Sequence, residues 1–208
     1  MENCITKYCL IDSTKVIVDG KTEFENSANE SFGDYMKSIY KHYDLKYPKY
    51  FKMDNLCKIA FMASEIILID NEHIKTLDPN SIGVILQNSH STIDTDLNYI
   101  KTIQDKSNYY PSPAIFVYTL PNVMIGEICI KNKFQGENTC FIAKEFDSDF
   151  ISEYVNNLLD SGKVDICLTG WVDYVENNYI ATLFLVEKIK ENQKDNISFR
   201  PENLNRIK

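Results

Sequence analysis

Ser112-Pro113-Ala114-Ile115-Phe116, Thr119-Leu120-Pro121-Asn122, Gly126, Phe134-Gln135-Gly136 and Cys140-Phe141-Ile142-Ala143-Lys144-Glu145 follow one another in a single run that decides the fold. Residues 138–144 read as a strand. Asp147, Ser148 and Asp149 come next, residue types that satisfy the free N–H groups of a helix start and complement its positive end. Residues 147–159 then place Phe150, Ile151, Tyr154, Val155, Leu158 and Leu159 on one stripe at helical spacing. Ser152, Glu153, Asn156, Asn157 and Asp160 form a polar opposite face. Upstream, residues 113–131 are apolar nearly all round, which predicts one buried helix.

Working outward, residues 5–11 and 15–19 are strand-like and close at Gly20. Residues 21–50 are polar, although residues 31–43 carry Phe32, Tyr35, Met36, Ile39 and Tyr40 at helical spacing. Residues 53–69 form the strongest helical pattern. The short apolar run 82–86 suits a buried parallel strand, and residues 92–104 an amphipathic helix. Residues 164–169 and 179–188 read as strands, with Ser161-Gly162 as a helix C-cap between them and the helix before. The tail from about residue 191 is polar and is expected to be frayed or wrapped on a partner. Strands alternate with helices, so the class is α/β. Gly and Pro number only seven and six, which leaves no flexible linker and predicts one domain over residues 1–208.

A content of 44% hydrophobic residues in 208 is enough for a sizeable core and excludes a disordered chain. The net charge of -8 disfavours nucleic acid, whose phosphates need a basic face. No apolar stretch approaches the roughly 20 residues of a membrane span. Met1-Glu2-Asn3-Cys4 shows no basic region followed by an apolar run, so a cytoplasmic location is expected. The two sequons, at Asn29 and Asn196, then carry no glycan. The six cysteines form no CxxC pair and read as small buried hydrophobes; no metal and no cofactor is expected. The glycines never form a GxGxxG or Walker pattern. His90, in Ser89-His90-Ser91-Thr92-Ile93-Asp94, follows a strand, where α/β sheets place sites. Its Ser and Asp neighbours are too close in sequence to converge as a triad, so a structural loop is the favoured reading.

The run from Ser112 to Glu145 resembles the ketosynthase family of the thiolase superfamily. In that family a similar stretch leads to a strand ending in a Thr-Ala-Cys turn, and the Cys carries the acyl group. Counted from Asn122 and Gly136, that Cys falls on Glu145, with Lys144 and Ala143 at the Ala and Thr positions. The resemblance implies one half of a thiolase-like fold, a mixed five-stranded sheet with helices on both faces. It places Cys140 inside the strand and not at the nucleophile. The chain ends at Lys208, ahead of the family's catalytic histidines, and His42, His73 and His90 match none of its motifs. The polar face of the helix at 147–159 fits a half that lacks the second sheet.

Read through that resemblance, the chain is similar to chain-length factors, the inactive partners of ketosynthases. It has no catalytic residue of its own. Its partner is a full-length ketosynthase, and an acyl carrier protein docks mainly on that subunit. Ala114, Phe116, Thr119, Asn122, Cys140, Phe141 and Ile142 then form the tunnel and the interface. The residue matching Ala114 is often a bulky aromatic reaching toward the partner's tunnel, so Ala shortens that plug. The implied setting is polyene, polyketide or fatty-acid-like chain elongation, of aryl-polyene or flexirubin type. The alternative is a freestanding homodimeric acyl-binding or scaffold pseudoenzyme, and a third reading is an acyltransferase using some other residue.

Overall fold

A computed structural model of the protein describes residues 2–189 and 197–207. Its strands are β1 (Glu2–Ile11), β2 (Lys15–Val18), β3 (Lys21–Glu25), β4 (Ile82–Asn88), β5 (Asn138–Ile142), β6 (Ile166–Val175), β7 (Asn178–Ile189) and β8 (Ile197–Ser198). Its helices are α1 (Phe32–His42), α2 (Asn55–Leu68), α3 (Ile93–Ile100), α4 (Pro113–Phe116), α5 (Val123–Asn132), α6 (Ser148–Asp160) and α7 (Pro201–Ile207).

The strands join one sheet in the order β3-β2-β1-β7-β6-β4-β5, with β8 also pairing β1. Only β6, β4 and β5 run parallel. β4 reads Ile-Gly-Val-Ile-Leu-Gln-Asn and is buried at every position, as a parallel strand covered on both faces must be. Its side chains alternate between the two layers. Val84 and Leu86 join the cluster built on α1, α2 and α5, and Ile85 joins the one built on α6 and α7. The helix starts follow the sequence: the side chains of Ser31, Asp54 and Asp147 accept from the backbone N–H groups of Asp34, Cys57 and Phe150.

The sheet has eight strands where five were expected. β3, Lys-Thr-Glu-Phe-Glu, is a largely exposed edge on which Phe24 alone packs against the core, 6.0 Å from the Tyr35 ring, so the sequence shows no apolar alternation there. Residues 113–131 are not one buried helix. α4 runs on through a 3-10 turn, Val117–Thr119, and α5 starts afresh after a bend of 100°. Pro121 lacks an N–H and pushes Leu120 out of helical geometry, to φ -113 and ψ 118. Phe116, Val117, Leu120 and Ile130 are each more than half exposed. α3 ends at Ile100, short of residue 104.

The strand expected over residues 164–169 does not stop there; β6 continues through Gly170 to Val175. The φ of Gly170 is 142, and a Cβ there would lie 2.0 Å from the Thr182 carbonyl oxygen of β7. The polar tail falls partly on residues 190–196, outside the described residues. Beyond them the chain returns to its own sheet: β8 pairs Cys4 and Ile5, and Asn205 Nδ2 of α7 donates to Ser148 Oγ on α6 at 2.8 Å. Among the described residues no single helix is long and apolar enough to cross a membrane.

Candidate functional site

The carboxyl ends of the parallel strands meet at one rim of the sheet, where open α/β sheets hold ligands. The turn from β5 into α6 is held from below. Ala143 N donates to Asn88 O at 2.9 Å, Ser89 Oγ to Lys144 O at 3.2 Å, and Asp147 N to Gln87 Oε1 at 3.0 Å. Gln87 is 1% exposed, so its amide is a fixed post. Phe146 is buried, its ring 6.3 Å from Trp171 and 6.4 Å from Phe184.

Glu145 is exposed at the crest of this turn. It stands two residues before the N-cap Asp147, whose side chain accepts from Phe150 N at 2.9 Å. The first-turn acid on α6 is Asp149. Glu145 therefore lies outside the first turn of α6, and the helix end is satisfied without it.

No thiol stands in its place. Burial pushes Cys129 and Cys140 up to about 11. It also raises Cys4, Cys9, Cys57 and Cys167 above their ordinary value. Each of the six thiols is thus held above its ordinary value, away from the thiolate that a nucleophile needs. Cys140 packs against the α2–α5 layer from within β5.

β5 is the sheet's outermost strand, with β4 as its neighbour. Phe141 stacks edge-on with Phe150 at 4.8 Å and Tyr154 at 5.1 Å, making an aromatic ridge from β5 to α6. Ile142 is 54% exposed. The other expected interface residues sit around α4. Ala114 lines a cavity of about 460 Å³ with Ile115, Tyr118, Met53, Asp54 and Asp94. Phe116 lies 5.4 Å from the Tyr99 ring. Asn122 is exposed and gives α5 no side-chain cap. Thr119 O accepts from Thr92 Oγ1 at 3.0 Å, which ties this region to residues 88–92 and through them to the β5–α6 turn.

The Ala114 cavity is partly polar. Asp54 Oδ2 accepts from Thr95 Oγ1 at 2.7 Å. Burial raises the Asp94 carboxyl, and the nearby Asp54 charge adds to the effect. Close to it, Glu127 is 3% exposed and meets Tyr118 Oη at 3.2 Å and Lys49 Nζ at 2.8 Å. Neither Asp54 nor Glu127 was singled out from the sequence, and Asp94 was weighed only as a neighbour of His90.

Sequence reasoning also missed Asp173. It accepts from Asn88 Nδ2 at 3.0 Å and His90 N at 3.0 Å, and its Oδ2 lies 2.5 Å from His90 Nδ1. His90 thus has a carboxylate partner 83 residues away in the chain, not the Asp94 of its own loop. The only local signal was an acid near the end of a strand. Among the described residues no group of three or more side chains could hold a metal ion.

No family model matches the chain, and no curated protein matches it in sequence. Solved structures do match. The ishigamide ketosynthase/chain length factor superposes with a TM-score of 0.68 at 14% identity, over 93% of this chain and 64% of that one. A ketosynthase complex with a type II acyl-carrier protein, AntDE:AntF, gives a TM-score of 0.61 at 13% identity, over 90% and 62%. The ketosynthase ApeO with its chain length factor ApeC, from Xenorhabdus doucetiae, gives 0.56 at 10%, over 92% and 81%. The chain thus has the α/β fold of ketosynthase and chain-length-factor structures and spans under two thirds of the length of the first two.

Proposed function

We propose that this chain is a chain-length-factor-like subunit: it pairs with a ketosynthase and shapes the tunnel in which that partner elongates an acyl chain. One observation carries the reading. In the turn that follows β5 the chain presents an exposed carboxylate, Glu145, while all six thiols are buried or raised and so unfit to carry an acyl group. The fold supports it, as do the free β5 edge and its aromatic ridge, which present a surface for another subunit. The net charge of -8 opposes an acidic carrier protein, which supports a reading in which the carrier docks on the partner.

Co-expression with a ketosynthase tests the pairing. A stable complex that sediments as a heterodimer supports it. A chain that remains a well-folded monomer beside every ketosynthase offered overturns it and favours the freestanding alternative. Intact-mass analysis after incubation with an acyl thioester tests the chemistry. A covalent adduct that turns over would overturn the reading that the chain carries no acyl group of its own.

A further inference from the structure

A second cavity, of about 320 Å³, opens at the same rim and is lined by Ser13, His90, Asp173, Asn177, Asn178 and Tyr179. These residues come from the ends of β1, β4 and β6 and the start of β7, brought together by the strand order. Asp173 is the best-anchored group in it. Its side chain is 14% exposed and takes donors from Asn88, the His90 backbone and the His90 ring. A carboxylate can only accept, so the ring proton sits on Nδ1 and Nε2 is left as the basic nitrogen. The His90 ring is 46% exposed, so a ligand or water can reach it. Asn177 also lines the cavity, and its side-chain oxygen accepts from Tyr174 Oη at 3.1 Å, which leaves its amide N–H groups to donate. Asn177 is held there by a tight β6–β7 turn in which Glu176 and Asn177 adopt φ 49 and 65.

We propose that this cavity is a proton-accepting site for small acyl esters and thioesters, with His90 as the base and Asp173 as its positioning residue. A proton acceptor and an amide donor in one small cavity match a water molecule and a carbonyl group. The water oxygen bonds to the carbonyl carbon while its proton passes to His90 Nε2. The carbon–oxygen or carbon–sulfur bond then breaks, and the proton leaves on the alcohol or thiol. The products are a carboxylic acid and that alcohol or thiol, with no oxidant or co-reactant needed. This site is separate from Glu145 and does not depend on the pairing proposed above.

Hydrolysis of p-nitrophenyl acetate and of an acetyl thioester of N-acetylcysteamine, with the full chain, is the test. The expected rate exceeds that of free imidazole at equal concentration. His90→Gln, whose amide can still reach Asp173 and keep the loop in place, should lower it at least tenfold. Asp173→Asn should lower kcat with KM unchanged, since the ring loses its orientation and not its access. Replacing His42 and His73 together by Gln should leave the rate as it was. A rate no greater than imidazole, or one unchanged in His90→Gln, overturns the proposal and leaves the pair as a clamp on the loop. A melting temperature for each variant separates loss of the site from loss of the fold.

Discussion

Ile142→Pro separates the sheet's own bonding from its bonding to a partner. Ala143 N donates to Asn88 O, and Val84 N to Glu137 O. In a parallel ladder alternate residues face the same neighbour. The N–H and C=O of Thr139 and Phe141 therefore point to β4, and those of Cys140 and Ile142 point off the sheet. Proline at 142 removes an N–H that this chain does not use and closes half of one outward-facing pair. If another chain pairs along that edge, one of its carbonyls is left unmet. A lost bond is worth about 1 kcal/mol net, and a buried group left unsatisfied about 1–3 kcal/mol. Together these come to roughly 2–4 kcal/mol, or about 30- to 1,000-fold in Kd. The monomer's own stability should change by less than about 1 kcal/mol, because edge proline is tolerated. Phe141→Pro is the contrast: it cuts the bond to β4 and should lower Tm sharply. Sedimentation of the ketosynthase complex, with a thermal melt of each variant alone, reads both quantities. A complex whose Kd shifts less than threefold in Ile142→Pro would refute edge pairing through β5.

Three more outcomes are expected. Gly170→Ala should lose about 3–5 kcal/mol, because its φ of 142 disfavours a side chain and the new Cβ would sit 2.0 Å from Thr182 O; Gly33→Ala, which meets nothing within 4 Å, should change stability by under about 1 kcal/mol in the same melts. Iodoacetamide at neutral pH should label the native chain slowly and all six thiols in denaturant, while Glu145→Cys adds one fast site; rapid native labelling of Cys140 would contradict its burial. Hydroxyl and amide donors hold the exposed carboxyls of Glu2, Asp34, Asp78 and Asp105 below their usual range, with Ser198, Ser31, Asn80 and Ser107 as the leading partners. Folded values below unfolded ones contribute stability above the unfolded pKa that is lost as pH falls through the folded one, so Tm should drop below about pH 4. Asp94 is shifted the other way, so its ionisation opposes folding; Asp94→Asn should raise Tm at pH 7, and the gain should disappear at pH 3.

What could be read in advance follows from how local each determinant is. α2 and β4 were legible because burial writes itself into every third or fourth residue, or into every one. The β5–α6 turn was legible through the acids at 147–149. β3 left no mark because a single residue, Phe24, turns to the core, and one apolar position makes no alternation. The break at 120–122 carried its signal in Pro121, yet the apolar composition around it outweighed that single residue. The strand expected over 164–169 stopped short at Gly170 because the close approach of the Thr182 carbonyl, which leaves no room for a Cβ there, belongs to β7 and is not announced by the local sequence. The His90–Asp173 pair was hidden for the same reason. It exists only once β4 and β6 lie side by side, and nothing near His90 names its partner.

The placement of β1 has a consequence for synthesis. Of the described strands β1 is made earliest and sits inside the sheet, and its long antiparallel neighbour β7 is made nearly last, with Glu2 opposite Ile189. At about 5–20 residues per second, a ribosome leaves that flank of β1 without its partner for roughly 10–40 s. Only the β2–β3 hairpin can shield the other flank during that interval. A nascent chain stalled before β7 therefore carries an open template for foreign strands. Its yield in the cell should depend on whatever holds β1 until β7 has been made, and slowing translation ahead of β7 should lower the soluble fraction.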